Sequence, residues 1–108
     1  MFKEIKYFYQ RGRRGYSDRD LWDLSCYLSD MLSRALSDLK KNKHGYPPEL
    51  TEKKWDRILT DMQSGFLAQL ALMDINTVTD SKEYTKELTA KMNKGLKLFV
   101  KYYMDLWD

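Results

Sequence analysis

The sequence predicts an all-α chain: three long antiparallel helices in an up-down-up bundle, with a short N-terminal helix or extended segment docked on it. Three observations predict this. Apolar residues recur at helical spacing in three separate stretches. Each stretch opens on its own start signal. The connections between the stretches are short, which makes sequential helices antiparallel neighbours. With 108 residues, the expectation is a single helical domain over 1–108. Hydrophobic content of 43% and aromatic content of 14% argue against disorder, because a disordered chain lacks the apolar surface to offset its entropy.

The N-terminal segment, 1–16, admits two conformations. Phe2, Ile5, Phe8 and Tyr9 fit one face of a short amphipathic helix, while Tyr7-Phe8-Tyr9 suits an extended strand. Gly12 and Gly15 bracket Arg13-Arg14, so a structured Arg-Gly loop is expected there instead of regular helix. The segment is basic. Lys3, Lys6, Arg11, Arg13 and Arg14 against Glu4 give 5 − 1 = +4, whereas the remaining 14 basic and 15 acidic residues give −1.

The first long helix is expected over about 17–43. Ser17 suits the N-cap, and Asp18 and Asp20 put negative charge in the first turn, where the helix dipole favours it. Leu21, Leu24, Leu28, Leu32, Ala35 and Leu39 define its apolar face. Gly45 is expected as a left-handed C-cap, and Tyr46 is pushed out of helical conformation by Pro47. Ser25, Ser29, Ser33 and Ser37 recur every fourth residue. Such a stripe can admit a close helix neighbour, within the chain or in a homodimer. A solvated flank is the simpler expectation.

The second helix is expected over about 51–74, capped by Thr51, with Trp55, Ile58, Leu59, Met62, Phe66, Leu70 and Met73 as its stripe. From Gly65 to Met73 it is apolar nearly all round, which predicts a central position. Asn76-Thr77-Val78-Thr79 forms a polar break. The third helix is expected over about 80–107, with Asp80 as cap, Glu83 completing a capping box, and Leu88, Met92, Leu96, Phe99, Tyr103 and Leu106 as its face.

Three blocks carry a resemblance. Arg11-Gly12-Arg13-Arg14-Gly15-Tyr16-Ser17-Asp18-Arg19-Asp20-Leu21-Trp22 is the first. His44-Gly45-Tyr46-Pro47, followed by Leu50-Thr51 and Trp55, is the second. The third is the ending Leu98-Phe99-Val100-Lys101-Tyr102-Tyr103-Met104-Asp105-Leu106-Trp107-Asp108. Together they resemble a family of small tailed-phage proteins of uncharacterised activity, across most of the chain. The resemblance implies a phage gene product acting in the bacterial cytoplasm, of an accessory kind that interferes with host machinery or host defence.

The N-terminus carries charges where a signal peptide would be apolar, and the longest apolar-rich stretch, Phe66 to Met73, is interrupted by Gln69. The single Cys26 fits a reducing compartment, so a cytoplasmic protein without membrane contact is expected. Arg11, Arg13 and Arg14 precede a helix N-terminus, where backbone N–H groups and the dipole favour an anion. Their forked guanidinium groups suit phosphate, Tyr16 could stack on a base, and Trp22 could support them. The simpler reading pairs these arginines with Asp18, Asp20 and Asp23, fastening the N-terminal segment.

Other candidates point to less. Asp20 and Asp23 have too few companions for a metal site, and first-turn electrostatics account for both. His44, the one histidine, sits in a capping turn. Lys86, Lys94, Lys97 and Lys101 suit a solvated helix face. Trp22 and Trp107 are expected to pack in the core, although Trp107 could anchor a partner. No catalytic residue, metal or cofactor is expected. The expected function is a non-enzymatic binding protein that takes a host protein or a phosphorylated small ligand. The alternative is nucleic-acid binding through the basic N-terminus and third helix.

Overall fold

The computed structural model describes residues 2–75 and 81–107. All regular structure among them is helical: α1 (Phe2–Arg14), α2 (Leu24–Asn42), α3 (Glu52–Met73) and α4 (Lys82–Lys101), with short 3₁₀ turns over Arg19–Asp23 and Tyr103–Asp105. The polar break Asn76-Thr77-Val78-Thr79 and the expected cap Asp80 lie outside the described residues.

α3 holds the centre. Thr51 caps it, its hydroxyl accepting the Lys54 N–H at 3.2 Å. Trp55, Leu59, Met62 and Phe66 recur along one side of α3 and form the buried core with Leu36 of α2. α3 packs against both α2 and α4. On the α2 side, Lys40 Nζ donates to Thr60 Oγ1 at 3.0 Å and Gln69 Nε2 to Ser25 Oγ at 3.3 Å. On the α4 side, Trp55 meets Tyr102 edge-on at 5.6 Å between ring centroids, and Phe66 meets Phe99 at 5.3 Å.

Both interfaces are built on small residues. Gly65 and Gly95 face each other where α3 crosses α4: a Cβ on Gly65 would lie 2.7 Å from the Gly95 Cα, and one on Gly95 would lie 2.6 Å from the Gly65 Cα. Only glycine permits that approach. On α2 the middle of the serine stripe, expected to be solvated, is buried: Ser29 and Ser33 are 4% and 3% exposed, while Ser25 is exposed. Of the expected core face, Leu32 and Leu39 pack against the core, while Leu21, Leu24, Leu28 and Ala35 are exposed. Size explains the exchange, because two helix backbones come closer over serine than over leucine. Ser33 Oγ is satisfied by the Asp30 carbonyl at 2.9 Å, so its burial leaves no orphaned hydroxyl.

The helix ends depart from expectation in four places. α1 is regular helix through Gly12, since a solvent-facing glycine costs a helix only about 1 kcal/mol. It stops at Gly15, whose φ of 87° lets its N–H donate to the Arg11 carbonyl at 2.9 Å. Ser17 and Asp20 make a reciprocal cap: Ser17 N–H donates to Asp20 Oδ2 at 2.8 Å, and Asp20 N–H to Ser17 Oγ at 3.3 Å. The turn they cap is 3₁₀, and Asp23, at φ −146° and ψ 63°, separates it from α2. Gly45 is not left-handed, because Lys43 already leaves α2 in extended conformation. α4 is capped by Ser81, whose hydroxyl accepts the Tyr84 N–H at 3.0 Å, and it ends at Lys101 instead of near 107.

α1 buries none of its residues. It is fixed to the start of α2 by polar contacts alone, described below. The result is an open shape with principal extents of 49 × 40 × 19 Å.

Candidate functional site

The arginine segment is fully engaged with its own chain. Arg11 grips Asp20 with both prongs, Nε at 2.8 Å from Oδ2 and NH2 on Oδ1. Arg14 donates to the Tyr16 carbonyl at 2.9 Å, pairs with Asp18 and lies over the Tyr16 ring at 4.6 Å from its centroid. Gln10 brackets Asp18 from the other side, donating to its carboxylate at 2.9 Å and accepting its N–H at 2.8 Å. Tyr27 hydrogen-bonds the Gly15 carbonyl. Arg13 faces outward and donates to the Tyr9 hydroxyl at 3.2 Å. Of the residues expected to support a ligand here, Tyr16 is thus taken by Arg14, and Trp22 projects away at 81% exposure rather than packing in the core.

The carboxylates answer to these partners. The Arg11 guanidinium, with help from the Ser17 N–H and hydroxyl, holds the Asp20 carboxyl well below the usual range against the opposing effect of burial. Arg14 and then Gln10 depress Asp18 likewise. A depressed folded-state pKa contributes stability above the unfolded value of about 4, and that stability is lost as the pH falls below it. The urea midpoint is therefore expected to drop between pH 5 and pH 3. Asp20→Asn should flatten that drop and lower stability at pH 7 by about 1–2 kcal/mol. A variant whose pH dependence matched the parent's would show that the Arg11–Asp20 pair does not hold the segment.

A cleft of about 620 Å³ opens between α1 and α2, lined by Tyr7, Phe8, Tyr27 and Leu70. Its charged lining is Glu4, Asp20, Asp23 and Asp30 against Arg11 and Arg19, a formal 2 − 4 = −2. That balance disfavours phosphate. Cys26 also lines it, its thiol pKa pushed up chiefly by burial, so it is a poor nucleophile. Asp20 and Asp23 share this cleft, but among the described residues no three His, Cys, Asp or Glu side chains are grouped to hold a metal ion.

The feature that sequence reasoning missed lies at the other end of α3. His44, Gly45, Tyr46, Pro47 and Pro48 meet Asp105 and Trp107 around Trp55, forming a cleft of about 370 Å³. Local structure builds both walls. Pro47 is buried, and its carbonyl accepts the Leu50 N–H at 3.0 Å, turning the chain into α3. After α4 the 3₁₀ turn, with Asp105 N–H on the Tyr102 carbonyl at 2.9 Å, swings Trp107 back toward that turn. Trp55 is the closed floor, whereas Tyr46 and Trp107, at 51% and 74% exposure, form an open rim. The signal available beforehand was composition: two prolines and two aromatics outside any helical stripe.

The basic side chains expected on the third helix do not merge into one surface with the arginines by contact. Lys94 pairs with Asp61 at 3.3 Å, and Lys101 lies over the Tyr102 ring at 5.3 Å. No helix of the described residues is long and apolar enough to cross a membrane. Comparison of the chain with protein-family models, curated proteins and solved structures returned no match.

Proposed function

We propose that this chain is a non-enzymatic phage accessory protein that blocks a host protein in the bacterial cytoplasm, gripping it in the aromatic cleft at the far end of α3. The observation that carries the reading is the rim of Tyr46 and Trp107 over the Trp55 floor. A rigid aromatic pair beside prolines is the surface that takes an apolar anchor or a proline-containing segment of another protein. The phosphorylated-ligand reading draws less support, because Arg11 and Arg14 already hold carboxylates. So does nucleic-acid binding, which would need those same charges. The scaffold we propose is an up-down-up bundle. Its support is the pairing of Lys40 with Thr60 and Ser25 with Gln69, and of Trp55 with Tyr102 and Gly65 with Gly95, in which rising numbers on one helix meet falling numbers on the next.

The test compares two baits. Parent and Trp107→Ala proteins are immobilised, and host lysate is passed over each. Proteins held by the parent and depleted at least ~10-fold on the variant support the cleft, a loss of about 1.4 kcal/mol or more. Identical captured sets would overturn it. Because Trp107 is mostly exposed, the variant is expected to keep the parent's melting curve.

A further inference from the structure

α2 is apolar over a wider arc than α3 covers. Leu24, Leu28, Met31 and Ala35 follow at intervals of four, three and four residues, the spacing of a coiled-coil seam, and all four are exposed. At 100° per residue this seam is centred about 135° from the buried Ser29, Ser33 and Leu36. Leu21, Leu24, Leu28 and Met31 line a groove of about 530 Å³ that begins at Arg14, Gly15 and Tyr16. α1 has the complementary defect. Phe2, Ile5, Phe8 and Tyr9 make one apolar face, Phe8 is 81% exposed, and among the described residues nothing buries it.

The amount of surface is that of half an assembly. A compact 13.0 kDa chain exposes about 6,300 Å², whereas this one exposes 8359 Å². The excess, about 2,000 Å², exceeds the ~800 Å² that each partner buries in a standard interface. The radius of gyration agrees, at 16.3 Å against about 13 Å for a compact chain of this length.

We propose that two copies of this chain pair about a two-fold axis, each laying the apolar face of its α1 on the uncovered α2 seam of the other. Dimension fits the occupant to the site. The 13 residues of α1 span about 20 Å, and the seam from Leu24 to Ala35, rising about 17 Å along α2, lies within that length. α1 is kept off its own seam by the Arg11–Asp20 fork, the Gln10–Asp18 pair and the left-handed Gly15, all of which set its direction. A second chain has no such constraint. Charge disfavours the alternative in which α1 pairs with another α1, because residues 1–16 carry +4.

Light scattering coupled to gel filtration tests this on the full chain. The parent is expected at twice 13.0 kDa at micromolar concentration. Leu28→Glu on the seam and Phe8→Glu on α1 are each expected to weaken dimerisation at least ~100-fold. Both keep the parent's helical circular dichroism, since both side chains are exposed. Mixing the two variants restores one of the two contacts and is expected to yield a heterodimer that neither forms alone. A parent that stays monomeric at 100 µM, an α1 folded back on its own seam included, would overturn the proposal. So would a dimer that tolerates Phe8→Glu, which would mean that seam pairs directly with seam. The cleft at Trp107 is untouched by these variants, so the lysate test and this one fail separately.

Discussion

Gly65→Ala is expected to destabilise the protein by about 2–3 kcal/mol, against a helix propensity that favours alanine by about 1 kcal/mol. The sign is decided by the crossing. The new methyl would sit 2.7 Å from the Gly95 Cα and 3.1 Å from the Lys91 carbonyl oxygen, and backbone cannot rotate aside as a side chain can. α3 and α4 must separate, which also loosens the Phe66–Phe99 and Trp55–Tyr102 contacts between them. For a chain of this size the melting temperature should fall by roughly 10–15 °C. Gly95→Ala should behave alike. Gly12→Ala is the control, because nothing lies within 4 Å of a Cβ there, and its melting temperature should stay level or rise. A Gly65→Ala protein as stable as the parent would mean that the helices do not cross at these glycines.

Trp55→Ala is expected to cost more, about 3–5 kcal/mol, a large part of the 5–15 kcal/mol that a domain of this size possesses. Trp55 is 2% exposed, belongs to the core of α3 and meets the Tyr102 ring edge-on. Truncation leaves a cavity that two helices and the Pro47 turn cannot collapse into. The same substitution at Trp22 should change stability by less than about 0.5 kcal/mol, because that indole stands in solvent. Chemical denaturation of the two variants measures the contrast. Equal effects would mean that Trp55 is not the floor of the core.

Two of the tryptophans show what the sequence makes legible. Trp55 falls on a stripe with Leu59, Met62 and Phe66, so periodicity places it correctly. Trp22 sits next to a stripe of leucines and was expected to pack, yet at its own end that stripe, Leu21, Leu24 and Leu28, faces outward, and only Leu32 and Leu39 further on reach the core. Hydropathy ranks leucine above serine, whereas the α2–α3 interface selects for small size, and nothing local reveals which criterion governs. The cap at Thr51 is local chemistry and can be read directly, whereas Ser17 caps only a 3₁₀ turn and not the long helix expected to start there. Gly65 and Gly95 lie 30 positions apart, and their meeting depends on the register of two whole helices. The same holds for the aromatic cleft, whose walls come from residues 44–48 and 105–107. The arginine turn was legible because its partners, Asp18 and Asp20, lie within ten residues of it.

The central place of α3 also sets an order of events during synthesis. α2 leaves the ribosome after α1 and ahead of α3, with its serine face and its leucine seam both bare, and it has no core helix to pack on until α3 follows. At 5–20 residues per second the 22 residues of α3 take roughly 1–4 s to appear. For that interval the nascent chain displays its most adhesive surface.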